Sequence, residues 1–194
     1  MKNSLTMRTE ASYSLNFLIY IQNIYFNHCL NREEEYKFPY FPQQTIAFKE
    51  EFELNYRKLW HQVAKRIAKH HINDPKIFYK EKDIIFQELF ITSDESLKKY
   101  EDLYHTFKVW WDSFAGRFSI ERSTDERGQK LYWELAKLLE QNGKEPEKEL
   151  NISIIYDEYL FSEIQKYSYF NIVPINDFYV NYRELPKKLL ESVD

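Results

Sequence analysis

The chain has 194 residues, of which 43% are hydrophobic, 30% charged and 18% aromatic, a globular balance that fits one domain of ordinary size and excludes a disordered chain. A formal charge of −4 supplies no global field for nucleic acid or an anionic membrane, and the single cysteine, Cys29, excludes an intramolecular disulfide and any zinc site built on two cysteines. The glycines Gly116, Gly128 and Gly143 are isolated, which excludes glycine-rich phosphate loops, dinucleotide fingerprints and a G-x-S-x-G nucleophile elbow.

Met1–Glu10 is polar and carries no secretory signal, so a cytoplasmic, soluble protein is expected. The most apolar segment is Leu15–Phe26 (LNFLIYIQNIYF). It is shorter than the roughly 20 apolar residues of a membrane span, and Asn16, Gln22 and Asn23 interrupt it. Tyr13, Phe17, Ile21, Ile24 and His28 trace one face, widened by Leu18, Ile19, Tyr20 and Tyr25. That pattern predicts a buried central helix. Asn31–Gln44 breaks it with the acidic triplet Glu33, Glu34 and Glu35 and with Pro39 and Pro42, as a loop pinned by Phe38, Tyr40 and Phe41.

Phe52, Tyr56, Leu59, Val63 and Ile67 recur at spacings of three and four, the core stripe of an amphipathic helix. Asn73-Asp74-Pro75 reads as a new start, with Asp74 at the cap and Pro75 at the first helical position, and helix of uncertain continuity follows to about Phe90. Thr92 and Glu95 have capping-box spacing, as do Ser123 and Glu126, and each pair predicts a helix start. Leu131, Leu135, Leu138 and Leu139 line the later helix, which Asn142-Gly143 ends. Residues 144–149 form a charged linker. For residues 151–173 strand and helix both remain open, since Ile152, Ile154 and Tyr156 alternate while Ile154, Phe161 and Ile164 suit a helix. Pro186 predicts a short last helix.

The stretch His105–Phe118 (HTFKVWWDSFAGRF) has two adjacent tryptophans. On a helical wheel Leu97, Tyr100, Leu103, Tyr104, Phe107, Trp110, Trp111 and Phe114 fall on one broad side, so packing in a core explains them, with Gly116 as a left-handed helix stop. The opposite side carries Glu101, His105, Lys108 and Asp112. Glu101 and His105 stand four apart, but Asp112 lies about 10 Å further along the helix, and no metal site or cofactor is expected.

The strongest charge asymmetry is Arg57–His71 (RKLWHQVAKRIAKHH), which holds no acid. Lys58, His61, Lys65 and Lys69 form one stripe opposite the core stripe, and with Arg66 they make a candidate phosphate-binding face. The competing reading is internal compensation. Glu50, Glu51 and Glu53 open this helix and cations close it, matching its dipole, with Glu53 four residues before Arg57 and Glu33–Glu35 in reach. Arg66 and His71 are separated by four residues, which resembles the R-x4–6-H motif of HEPN ribonucleases. That resemblance implies His71 as acid or base and Arg66 as phosphate stabiliser.

These features add up to a mainly α, single-domain multi-helix bundle of about five to seven helices, with a small two-stranded element in the C-terminal quarter on the strand reading. Residues 1–143 are expected as the helical core and 144–194 as a smaller C-terminal subregion packed on the same domain. The expected role is a non-catalytic adaptor, regulatory or assembly protein with a protein partner. The alternatives are RNA or DNA binding through Arg57–His71 and a metal-independent ribonuclease using Arg66 and His71.

Overall fold

A computed structural model describes residues 5–29, 36–41 and 46–193. The acidic triplet Glu33–Glu35 and the side chain of Cys29 lie outside the described residues. The fold is mainly α, as its periodicity predicts. In chain order it runs β1 (Met7–Ala11), α1 (Tyr13–Cys29), α2 (Phe52–Lys69), α3 (Asn73–Lys80), α4 (Lys82–Leu89), α5 (Asp94–Trp111), α6 (Ser119–Gln141), β2 (Leu150–Ile155), β3 (Phe170–Pro174) and α7 (Leu185–Leu190). The residues form two compact units. One gathers the chain up to Ser12, then Ser113–Tyr159 and the residues from Ile164 onward; the other holds Tyr13–Asp112 and Leu160–Glu163. The first of these units groups α6 with β1, β2 and β3.

In the second unit, α1 is the buried centre expected from its composition: Leu15, Phe17, Leu18, Ile19, Tyr20, Ile21 and Ile24 are all enclosed. The Phe17 ring meets Phe78, Tyr104 and Phe107 at 5.7, 5.6 and 5.1 Å. Burying so many amides requires partners. Gln22 Oε1 accepts from Leu160 N–H at 2.9 Å, Asn23 Nδ2 donates to the Phe38 carbonyl at 2.8 Å, and Asn27 Nδ2 donates to the Lys37 carbonyl at 2.7 Å. The Asn23 and Asn27 amides, with the Tyr20–Phe38 ring contact at 6.2 Å, hold the described part of the predicted loop against α1.

Asp74 does not cap its own helix. It is buried, and its carboxylate accepts from the backbone N–H groups of Tyr13 (2.7 Å) and Ser14 (2.8 Å), so it caps the start of α1. The start of α5 is shifted by one residue from expectation: Ser93, not Thr92, is the cap, its Oγ accepting from Ser96 N–H at 3.1 Å. Helical structure between residues 73 and 89 is broken at Glu81, giving α3 and α4.

The aromatic side of α5 packs as expected at Tyr100, Leu103, Tyr104, Phe107 and Trp111, and Trp110 is half-buried. Leu97 and Phe114 depart from it. Leu97 lies near the exposed start of the helix. Phe114 is 80% exposed because α5 ends at Trp111 and Ser113 Oγ caps a separate turn through Ala115 N–H, so the wheel no longer applies. Gly116 is not a left-handed stop; its φ of −92° and ψ of −122° put it inside that turn.

In the first unit, β1, β2 and β3 form one parallel sheet in that order. The C-terminal strand reading holds for β2 and β3, and the third strand comes from the chain start, where none was expected. Central β2 is buried along nearly its whole length, on both faces of the sheet, as is usual for parallel strands. Ser123–Glu126 is not a helix start. It lies inside α6, where Thr124 Oγ1 donates back to the Ile120 carbonyl at 3.2 Å. The other end follows prediction: Gly143 has φ +63°, its N–H donates to the Glu140 carbonyl at 3.1 Å, and Lys144 N–H donates to that of Leu139 at 3.0 Å. Pro186 sits in the first turn of α7. Among the described residues no helix is long and apolar enough to cross a membrane.

Candidate functional site

The basic helix face takes shape on α2. Phe52, Tyr56, Leu59, Val63 and Ile67 are buried, which turns Lys58, Lys65 and Lys69 outward into solvent and leaves His61 half-buried. Among the described residues these three lysines make no ion pair. Nor do Glu53 and Arg57 form the anticipated pair, since Glu53 instead lies 3.5 Å from the Tyr25 hydroxyl. Glu53 in the first turn and Arg66 and Lys69 in the last still match the helix dipole.

Arg66 is engaged differently from its neighbours. Its guanidinium donates from both Nη atoms to Glu81, at 2.6 and 2.9 Å, a bidentate pair across the joint between α3 and α4. Those hydrogen bonds hold the Glu81 carboxyl below the usual carboxylate range and raise Arg66 further. His71 belongs to the turn after α2, where its carbonyl accepts from Asp74 N–H and its ring stacks on His70 at 5.0 Å. The motif residues are thus placed near one helix end, with the guanidinium fork already filled by a carboxylate.

On α5, Glu101 faces Lys82 Nζ at 3.7 Å and His105 lies beside the Tyr104 ring. Among the described residues no group of three His, Cys, Asp or Glu side chains is placed to hold a metal ion.

A second surface was not anticipated. An open groove of about 510 Å³ in the first unit is lined by Met7 and Thr9 of β1 and by Asp125, Gly128, Gln129, Tyr132 and Trp133 of α6. Trp133 is 69% exposed, whereas Trp60 and Trp111 are buried. Its sequence signal was available: Trp133 stands two residues, about 200°, from Leu131 and so opposite the leucine stripe. The groove has no such signal, because β1 and α6 are distant in sequence. Gly128 opens its floor, for an added Cβ would meet no heavy atom within 4 Å. Gly128→Ala should therefore stabilise the protein by about 0.8–1 kcal/mol in urea unfolding, the ordinary helix-interior difference. A loss of stability would mean that α6 needs the backbone freedom of glycine.

The chain matches no protein-family model, no curated protein and no solved structure.

Proposed function

We propose that the protein is a non-catalytic binding protein that acts by contact with another protein, through the groove between β1 and α6. The observation that carries this reading is Trp133, an exposed tryptophan at an open groove in a chain whose other large rings are mostly packed. Tryptophan is enriched among residues that dominate protein interfaces, and a solvated one without a partner loses the benefit of burial. A photo-crosslinking amino acid at position 133, introduced into the native host, should give a discrete protein adduct that survives nuclease treatment. The same group at exposed Val109 on α5 should not. Equal labelling at the two positions, or none at 133, would remove the groove as the contact surface.

Nucleic-acid binding is the second reading, favoured by one observation: Lys58, Lys65 and Lys69 are exposed and unpaired among the described residues. On this reading single-stranded RNA affinity falls linearly with log salt, and Lys65→Gln reduces the slope by about 0.7, one phosphate contact. Filter binding across a salt series measures it. An RNA affinity that Lys65→Gln leaves unchanged would end this reading.

A further inference from the structure

Building on that reading, we propose that the occupant of the groove is an extended peptide segment of the partner, which adds to β1 as a fourth strand and carries a lysine or arginine toward Asp125.

The backbone supports a strand. β1 is an edge of the sheet. Leu150 N–H donates to the Thr6 carbonyl at 2.9 Å, which fixes the parity of the ladder: Arg8 and Glu10 turn their backbone groups to β2, and Met7, Thr9 and Ala11 turn theirs to the open side. The Ala11 N–H confirms this parity, since it leaves the ladder and donates to Glu121 Oε1 at 3.1 Å. Among the described residues nothing meets the outward N–H and C=O of Met7 and Thr9. The opposite edge is partly closed, for the outward Phe170 N–H donates to the Tyr167 carbonyl at 3.4 Å and the neighbouring Tyr169 N–H to the Ser192 carbonyl at 2.8 Å, while the outward groups of Ile172 meet nothing among the described residues. An unprotected edge is a template for another strand, and strand addition at such an edge is a recurrent way of reading extended peptides.

The helix wall supports the side-chain pattern. Asp125, Gln129 and Trp133 follow one another at intervals of four residues, about 6 Å of helix rise each. Alternate residues of a strand repeat every ~6.8 Å, so a strand running along α6 presents successive side chains to the three in turn, with Gly128 leaving room below.

Charge selects the occupant. Among the described residues, Asp125 is the only charged side chain of the groove lining. Its partner Arg122, at 2.6 Å, is 71% exposed, and such a surface pair exchanges at little cost. Trp133, two helical turns and about 12 Å from Asp125, is left to face an apolar or aromatic side chain further along the peptide. A second copy of this chain would bring Asp125 and Glu121 to the same edge already paired with Arg122 and Arg117, and so offers the groove no cation in surplus.

The test is selection of a phage-displayed library of random peptides, about twelve residues long so as to span a strand, against the whole protein. Enriched peptides should place Lys or Arg four positions from an apolar or aromatic residue, which then faces Trp133. Thr9→Pro should weaken them about tenfold or more, the loss of one or two backbone hydrogen bonds. The fold should tolerate that change, because the N–H removed points away from β2. Gly128→Leu fills the groove from a position with free space and gives the same loss should Thr9→Pro not fold. N-methylation of alternate peptide residues should abolish binding in one phase and leave it in the other.

The proposal is overturned by no enrichment over the Gly128→Leu protein, by acidic consensus peptides, by binding indifferent to both Thr9→Pro and N-methylation, or by Thr9-dependent self-association of the protein alone. Crosslinking at position 133 that persists in Thr9→Pro would leave the protein-binding reading standing and remove only strand addition.

Discussion

Replacing Asp74 by alanine should cost about 3–5 kcal/mol, because it removes two charge-assisted hydrogen bonds of about 1.5–3 kcal/mol each and strands their buried donors. The carboxylate is 4% exposed and serves the first turn of α1, the helix on which the second unit packs. Both of its oxygens are used, Oδ2 by Tyr13 N–H and Oδ1 by Ser14 N–H, and the Asp74 backbone carbonyl accepts from Ser14 Oγ at 2.8 Å. The last bond survives any substitution at the side chain. Asp74→Asn keeps one acceptor oxygen and replaces the other with a donor facing an N–H, so it should lose an intermediate amount. Urea unfolding gives the midpoints, and hydrogen exchange at the Tyr13 and Ser14 amides locates the damage. An alanine variant within about 0.5 kcal/mol of wild type, the range of an ordinary surface change, would mean that α1 does not depend on this cap.

Asp74 also marks where sequence legibility ends. As part of Asn73-Asp74-Pro75 it reads as the cap of the helix that follows, because cap signals are recognised by their neighbours in the chain. Its actual client begins at Tyr13, and no local spacing connects the two. The features read correctly are those closed within a few residues: the Phe52–Ile67 stripe, whose period alone buries it, and the Asn142-Gly143 stop, whose hydrogen bonds span only Leu139 to Lys144. The Thr92 capping box missed by one residue, since Ser93 offers the same oxygen and the backbone chooses between them. β1 was invisible for the opposite reason. Met7–Ala11 is half polar, and only pairing with Leu150–Ile154 makes it a strand. The wheel through Phe114 extrapolated a helix past its end.

The same distinction governs the candidate sites. The lysines of α2 face solvent because the stripe opposite them is buried, which periodicity predicts. The Arg66–Glu81 pair is not at a helical spacing and forms only because α2 and the α3–α4 joint meet. The groove needs both β1 and α6, and so inherits the illegibility of β1. What the composition did forecast is that rings would fill the interior, and Trp133 and Phe114, the two most exposed rings among the described residues, are informative because most of the others are buried or half-buried.

The tryptophans therefore supply their own controls. Trp111 is 1% exposed and stacks on Phe107 at 5.3 Å, so Trp111→Ala should cost about 3–5 kcal/mol, the usual penalty for emptying a packed aromatic site. Among the described residues its Nε1 has no hydrogen-bond partner, so nearly all of that cost comes from lost packing rather than a lost bond. Trp111→Phe should accordingly recover most of the stability. Trp110 is half-buried against Phe38 at 4.9 Å and Tyr20 at 6.3 Å, and Trp110→Ala should lose about half as much, in proportion to the apolar area it covers. Trp133→Ala should change stability by no more than about 0.5 kcal/mol, as for a surface site. Urea midpoints and slopes for the three alanine variants test the ranking directly. If Trp133→Ala destabilises as much as Trp111→Ala, Trp133 is part of the fold and its exposure is no sign of a partner. If Trp111→Ala leaves the midpoint unchanged, the aromatic centre around Phe107 is not what holds the second unit together.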